Sequence, residues 1–510
     1  MPTSTIVLRS NAGIKRDGTK FDGDFYTDGR WVRFQRGLPR KMGGYRSINK
    51  YLTEISRGFH SYTQMGLQYC HSGSANYLQR FTIDSSRNSS VISNRTPSAL
   101  VASTDNRWMF QTMYDGLSHS GMRIVAHVAP NGSCLCNDQG GQIFYGDVTG
   151  TAALTAVTTL PATASVTGGI VALHPYMFYY GTSGIVGWSV PGDPTDFSSP
   201  GSNITQPWGQ KFVKGMPLRA GAGSAPAGVF WAYDAVVRAS FVGGSTGFGF
   251  DVLATDTSIM SADSVVDYDG VFYWAGVDRF FMFNGVVRDL PNPMNLNWFF
   301  DGLNTAQRSK VFAFKVPRYG EIWWCYPRSS ATECTHAIIY NVRENCWYDT
   351  ELPTAGRSAG GFNNAFAAPL LVDSVASSSG YRVWIHEQEH DEVDGTNSYP
   401  IQSYFETADL SQLVQGKDAR LRITSIEPDF IQSGPMNVQV TGRANARAPE
   451  VYSAKFEFPE VATEPREQIV MLKEQRRELR VKFESNTPGG DYQMGQIIGH
   501  IGSGDSTRLG

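Results

Sequence analysis

Residues 271–288 read VFYWAGVDRFFMFNGVVR, and this stretch decides the fold class. Its apolar and aromatic residues form three short runs, which are interrupted at 276–279 and by Asn284-Gly285. Asn-Gly between two apolar runs is the strongest short-range signal for a β-hairpin, because both residues tolerate positive φ. The stretch therefore predicts three antiparallel strands joined by two tight turns.

Aromatic clusters of the same kind recur along the chain, and each is bounded by turn residues. They lie at 143–146, 177–181, 228–231, 270–274 and 321–324, with further candidates at 67–70 and 381–385. The first five stand roughly 34 to 52 residues apart, which brackets the length of a four-stranded propeller blade. Another hairpin is predicted over 338–348. The sequence therefore predicts an all-β chain built on a β-propeller of six or seven blades.

Two departures from this pattern set the expected domain boundaries. Residues 295–307 follow two prolines and carry apolar residues at helical spacing, so they predict one of few short helices. After residue 400 the strands become longer and more charged, as at 420–426 and 477–484, with one face exposed to water. We expect an N-terminal segment with a leading hairpin over 1–50, the propeller over 51–399 and a C-terminal β-sandwich-like domain over 400–510.

Composition argues against several classes of protein. The 44 Lys and Arg residues nearly balance the 47 Asp and Glu residues, and a net charge of -3 gives no electrostatic footprint for gripping phosphate backbones. No apolar run approaches the roughly 20 residues of a membrane-spanning helix, so no membrane insertion is expected. Residues 1–12 do not have the pattern of a signal or transit peptide. Six scattered cysteines favour reduced thiols buried in strands, in a protein made in a reducing cytoplasm.

His386-Glu387-Gln388-Glu389-His390 matches the H-E-x-x-H pattern of zinc proteases. That chemistry needs a helix, on which both histidines reach one Zn²⁺. Residues 381–385 instead predict a strand, on which the two histidines would stand about 13 Å apart. We therefore expect no metal site and no cofactor here. A metalloprotease built on His386 and His390 stays the weakest alternative.

Two other motifs lack the context that their chemistry needs. Cys134-x-Cys136 has no second Cys/His pair at metal-ligand spacing. The glycine-rich stretch 221–228 is not followed by Lys-Ser/Thr or by a helix, so it predicts a flexible connection rather than a phosphate loop. No catalytic residue is predicted, and we do not expect an enzyme. The paired carboxylates of a glycoside hydrolase stay an open alternative, because only geometry would reveal them.

Three stretches resemble tail proteins of short-tailed phages, the family of tail nozzle, tail hub or packaged-DNA stabilisation proteins. Residues 25–45, FYTDGRWVRFQRGLPRKMGGY, are similar to the opening segment of that family, with Tyr45 in place of its Trp. Residues 271–290 and parts of 300–327 resemble its central propeller portion, and 339–348 resemble a blade end. The resemblance covers about half of the chain in patches, and its motifs are structural rather than chemical.

The resemblance implies a structural protein of the virion tail. Such a subunit forms a homohexameric ring beneath the portal-adaptor complex, extends the DNA-ejection channel, retains packaged DNA and supports tail fibres or spikes. Double-stranded DNA would pass without sequence-specific binding. A near-neutral net charge suits this, because a strongly basic channel would bind the DNA phosphates at many points. The alternative is a carbohydrate-binding or carbohydrate-cleaving propeller that acts as a receptor-binding tail protein.

The first resembling stretch is dense in basic residues, namely Arg30, Arg33, Arg36, Arg40 and Lys41. One hypothesis places these side chains against an acidic neighbour, as part of a subunit or partner interface. The other hypothesis is a solvated basic hairpin.

Overall fold

A computed structural model describes residues 4–20, 24–104, 106–130, 141–219, 225–353, 356–413, 419–445, 447–460 and 469–506. Nearly all regular structure in these ranges is β, in many small and mostly antiparallel sheets, so the all-β prediction is confirmed. The ranges contain one α-helix, Leu296–Gly302, and 3-10 helices at Thr182–Gly184, Thr305–Lys310 and Leu410–Leu413. The helix predicted over 295–307 is interrupted because Leu303 adopts an extended backbone.

Six sheets follow one another along the described chain, and each consists of four consecutive antiparallel strands. They are sheet I (Phe59–Gln64, Leu67–Gly73, Leu78–Ile83, Ser93–Asn94), sheet II (Asn106–Asp115, Gly121–Pro130, Gln142–Asp147, Thr155–Ala156), sheet III (Gly169–Leu173, Tyr176–Tyr180, Val186–Trp188, Asn203–Thr205), sheet IV (Phe212–Pro217, Ala227–Ala232, Ala235–Gly243, Gly247–Thr255), sheet V (Val265–Tyr268, Val271–Ala275, Phe280–Phe283, Val287–Leu290) and sheet VI (Phe312–Val316, Glu321–Tyr326, His336–Asn341, Cys346–Glu351). Sheets V and VI contain the hairpins predicted at 271–288 and 338–348.

A seventh sheet combines strands from two distant parts of the chain. Sheet VII consists of Ala359–Asn363, Ala368–Val372, Tyr381–His386 and Tyr45–Leu52, extended by Asp391–Asp394 and Asn397–Pro400. Tyr45–Leu52 pairs antiparallel with Tyr381–His386, in the position that the fourth strand holds in sheets I to VI. The last sheet of the series is therefore completed by a strand that precedes the first sheet.

The turn at Asn284-Gly285 shows how local sequence specifies these sheets. Phe283 pairs with Val287, so the connection has three residues and not the two of the predicted turn. Gly285 has φ +108°, whereas Asn284 is not among the residues with positive φ. Only the glycine uses the conformational freedom that the sequence signal offers.

Apolar layers lie between successive sheets. Sheets I and II share a cluster with Leu78 and Trp108, and sheets II and III share one with Val125 and Ile170. The remaining clusters join III to IV, IV to V, and V through VII, and another joins VII back to I. Several aromatic residues of the predicted clusters are core residues, since Trp231, Trp274 and Trp324 are fully buried. Aromatic and aliphatic side chains together fill the layers between sheets.

Three further sheets combine the two ends of the chain. Sheet VIII contains Ser4–Leu8, Ile497–Ser506, Ala419–Glu427 and Val470–Arg476; sheet IX contains Asp28–Arg30, Ser403–Glu406, Glu478–Ser485, Met436–Arg443, Val451–Tyr452 and Phe456–Phe458; sheet X contains Phe430–Ser433, Asp491–Met494, Leu38–Lys41 and Val32–Gln35. A short parallel pair, Asn11–Ile14 with Phe25–Tyr26, lies beside them. We call sheets VIII to X the terminal region. Its apolar residues share one core with sheets V to VII.

Candidate functional site

Residues 25–45 connect the seven sheets to the terminal region. Asp28–Arg30 pairs with Ser403–Glu406 in sheet IX, and the hairpin of Val32–Gln35 and Leu38–Lys41 lies in sheet X. The chain then enters sheet VII at Tyr45. We call residues 25–45, together with the side chains that contact them, the junction. The first of the three resembling stretches is therefore a structural connector.

Arg33 lies at the centre of the junction, and its side chain is 1% exposed. Its Nε lies 2.9 Å from Oε1 of Glu321, and its Nη1 donates to Oε2 of Glu387 at 2.8 Å. The guanidinium also stacks over the ring of Tyr319, 3.7 Å from the ring centroid. Burial alone would lower the pKa of Arg33, but Glu321 and Glu387 raise it above the ordinary value. Arg33 is therefore a buried cation neutralised within its own chain.

Glu321 receives further hydrogen bonds from sheet VI. The hydroxyl of Tyr348 donates to Oε1 at 2.7 Å, and the indole of Trp323 donates to Oε2 at 2.9 Å. A buried carboxylate is tolerated when its oxygens have donors and a cation beside them. Arg33, Glu321 and Glu387 thus connect sheet X, sheet VI and a loop within sheet VII through one set of charges.

Lys41 is also buried, with 2% of its surface exposed. Its ammonium donates to the carbonyl of Gly490 at 2.5 Å. Burial lowers the pKa of Lys41 to about 8, against the opposing effect of Asp391 and Asp491. The sequence placed Arg33 and Lys41 with the other basic residues on an interface or a solvated hairpin. The structure instead directs these two side chains into the chain's own interior.

The other three basic residues reach the surface. Arg30 forms a half-exposed ion pair with Glu351 at 3.0 Å, and Arg40 donates to Gln35 at 2.9 Å. Arg36 is exposed at the turn of the hairpin. A subunit or partner interface that contains Arg30, Arg36 and Arg40 stays a prediction.

The H-E-x-x-H stretch lies at the edge of the junction. The predicted strand is present as Tyr381–His386, and positive φ at Glu387 (57°) and Glu389 (52°) shows that no helix follows. The Nε2 of buried His386 accepts from Arg357 at 3.1 Å, whereas His390 is 42% exposed. Within the described residues no three His, Cys, Asp or Glu side chains form a group that could hold a metal ion.

A second buried ion pair beside the junction had no sequence signal. Arg357 donates to Asp373 at 2.8 Å, and Asp373 also accepts from the indole of Trp384 at 2.7 Å. Burial raises the pKa of Asp373 to about 6, although Arg357 acts in the opposite direction. A cavity of about 300 Å³ opens beside this pair. Arg357 precedes the strand Ala359–Asn363, Asp373 follows the strand Ala368–Val372, and Trp384 lies in Tyr381–His386, so only the fold brings them together.

The remaining sequence candidates carry no chemistry in the described chain. Cys70, Cys325, Cys334 and Cys346 are buried free thiols, as predicted. Cys134 and Cys136 lie outside the described residues, as do 221–224 of the glycine-rich stretch. Residues 227 and 228 of that stretch begin a strand of sheet IV and are not part of a loop.

No protein-family model matches the chain, and no curated protein matches its sequence. In the described part of the chain, no helix has both the length and the apolar character needed to cross a membrane.

Proposed function

We propose that this chain is a structural subunit of a short-tailed phage tail, a nozzle protein built on a seven-bladed β-propeller. One observation carries the proposal: six four-stranded antiparallel sheets follow one another along the chain, and Tyr45–Leu52 supplies the fourth strand of a seventh sheet. Propeller blades are four-stranded sheets arranged around a central channel.

Contacts between first strands support a closed arrangement of the sheets. The first strand of sheet I contacts those of sheets II and VII, and similar contacts join II to III, III to IV, V to VI and VI to VII. Sheets IV and V meet through Trp231, whose ring centroid lies 5.6 Å from that of Trp274. Each of the seven sheets thus has a neighbour on both sides.

The junction supports a structural role for the whole chain. Residues 25–45 belong to the stretch that resembles tail nozzle proteins, and Trp31, Arg33 and Tyr45 within it are buried. Buried charges such as Arg33 with Glu321 require one defined geometry, because separating them leaves a charge without a partner. We propose that the junction fixes the terminal region against the propeller, as the wall of a conduit requires.

In this proposal, six copies surround a channel through which double-stranded DNA passes during ejection. The ring sits beneath the portal-adaptor complex and supports fibres or spikes. The net charge of -3 is compatible with DNA that slides rather than binds. The carbohydrate-binding alternative receives less support, because Trp231, Trp274 and Trp324 of the aromatic clusters are buried between sheets rather than exposed as stacking platforms.

The oligomeric state of the purified chain tests this function. Mass photometry should give a species of six times the chain mass, and negative-stain images should show a six-fold annulus with a central hole. Arg36→Glu and Arg40→Glu, at exposed or half-exposed positions of the first hairpin, test whether that hairpin contributes to the interface. A monomer or a trimeric spike at micromolar concentration, with the adaptor protein also present, would contradict the nozzle.

A further inference from the structure

A polar cavity of about 190 Å³ lies where the first strands of the sheets converge. Sheets I, II, IV, V, VI and VII all contribute to its wall, through residues that include His60, Gln111, Val265 and Gly360. The cavity lies away from the junction and from the H-E-x-x-H stretch. It is therefore a separate candidate for ligand binding.

Cations predominate in the wall of this cavity. Arg57, Arg107, Lys214 and Lys310 line it, against the single carboxylate of Asp263. Burial lowers the pKa of the nearby His60 to about 4, so this imidazole adds no charge near neutral pH. An excess of positive charge inside a protein raises the electrostatic potential strongly, because the surroundings screen it poorly.

Two of the four cations share a carboxylate just behind the wall. Arg57 donates to both oxygens of Glu333, at 2.8 Å and 2.7 Å. Lys310 donates to Oε1 of the same residue at 2.6 Å. Lys214 lies 3.8 Å from Asp263, whose side chain is 49% exposed, so this pair is weak. Two carboxylates thus face four cations.

Arg107 is the cation of the wall that has no ion pair within the described chain. No carboxylate of the described chain lies within ion-pair distance of its guanidinium, and its hydrogen bond is to the hydroxyl of Ser309 at 3.4 Å. Burial, followed by the repulsion of Arg57, lowers the pKa of Arg107 to about 10, against the opposing effect of Asp263 and Glu333. A guanidinium in this position gains from any anion that reaches it, because its planar fork can donate two parallel hydrogen bonds.

We propose that this cavity binds a small oxyanion of the phosphate class, held by Arg107 with Lys214 and Lys310 beside it. The anion would supply the negative charge that the wall lacks. Its tetrahedral oxygens can accept from a guanidinium fork and from ammonium groups at the same time. The proposal concerns the sheets alone and does not depend on hexamer formation.

Isothermal titration of the full-length protein with inorganic phosphate tests the proposal, at pH 7.5 and constant ionic strength set by chloride. We expect saturable binding to the unmodified protein. Arg107→Gln should weaken it by about tenfold or more, the usual effect of losing a charged hydrogen-bond donor. The control Arg238→Gln removes an exposed arginine paired with Asp251 and should leave the affinity unchanged.

A second ligand and a second variant complete the experiment. A short duplex DNA is titrated in parallel, and binding of duplex but not of phosphate would overturn the small-anion proposal. Lys214→Gln provides a second variant if Arg107→Gln fails to fold, and it should also weaken phosphate binding. Absence of saturable phosphate binding, or equal affinity in the cavity variants and in Arg238→Gln, would likewise overturn it.

Discussion

The seven sheets and the terminal region are both β, but they are assembled in opposite ways. In sheets I to VI every strand pairs with a neighbour in sequence, as in the run from Val265 to Leu290. In the terminal region strands from the two ends of the chain pair, so that Ser4 lies opposite Ile501. Local pairing is specified by turns, whereas pairing between chain ends requires nearly the whole chain to be in place.

The junction connects these two differently assembled regions. Residues 25–45 supply strands to sheets IX, X and VII in succession. The two regions also share the apolar core that contains Trp324 and Phe483. We therefore expect them to unfold together, and substitutions at the junction to affect both.

Loss of the junction cation should have the largest effect. Arg33→Ala leaves Glu321 and Glu387 without their shared partner, and breaking such a buried pair costs about 3–5 kcal/mol. Urea unfolding should show one transition at lower denaturant, with tryptophan fluorescence and circular dichroism changing together. The control Arg238→Ala breaks an exposed pair with Asp251, and we expect it to cost less than about 1 kcal/mol. If Arg33→Ala and Arg238→Ala unfold at the same urea concentration, Arg33 does not stabilise the junction.

Truncation of a core side chain in the terminal region comes next. Leu479 is fully buried in sheet IX, and Leu479→Ala should destabilise the protein by about 2–5 kcal/mol through lost burial and a residual cavity. Differential scanning calorimetry measures the shift. Ile431→Ala is the control, since Ile431 is 76% exposed. If Leu479→Ala alone shows an additional unfolding transition at lower temperature, the terminal region unfolds independently of the seven sheets.

A smaller effect should follow from the hairpin turn of sheet V. Gly285→Ala forces a side chain into φ +108°, where no atom lies within 4 Å of the new Cβ. The cost is thus purely conformational, about 1–2 kcal/mol. In the control Gly361→Ala, the new Cβ also has open space and φ is outside the strained range. Equal midpoints in urea for the two variants would refute the role assigned to Gly285.

Acid should weaken the terminal region through Glu450. Burial alone would raise the pKa of Glu450, but hydrogen bonds from Lys20, Arg480 and Arg443 lower it to about 2 from 4.5. The stabilisation is present above pH 4.5 and is lost as the pH falls towards 2. Between pH 5 and 3 the free energy of unfolding of the unmodified protein should fall by about 1 kcal/mol more than that of the Glu450→Gln variant. Parallel urea titrations measure this difference, and identical pH profiles would contradict it.

The sequence predicted what is local in this fold. Asn284-Gly285 and the aromatic runs around it located sheet V, and the strand before His386 excluded the helix that a zinc protease needs. The burial of Arg33 could not be predicted, because Glu321 and Glu387 lie far from it in sequence and approach it only in the folded chain. The first strands of the terminal region were assigned to a separate N-terminal segment for the same reason. No local signal shows that Ser4–Leu8 pairs with Ile497–Ser506.

A cryo-electron microscopy map of the purified chain tests the closed propeller most directly. It should resolve seven radial sheets in each subunit, with Tyr45–Leu52 as the fourth strand of the seventh sheet. An open arc of sheets, or a seventh sheet from which Tyr45–Leu52 is missing, would contradict the account.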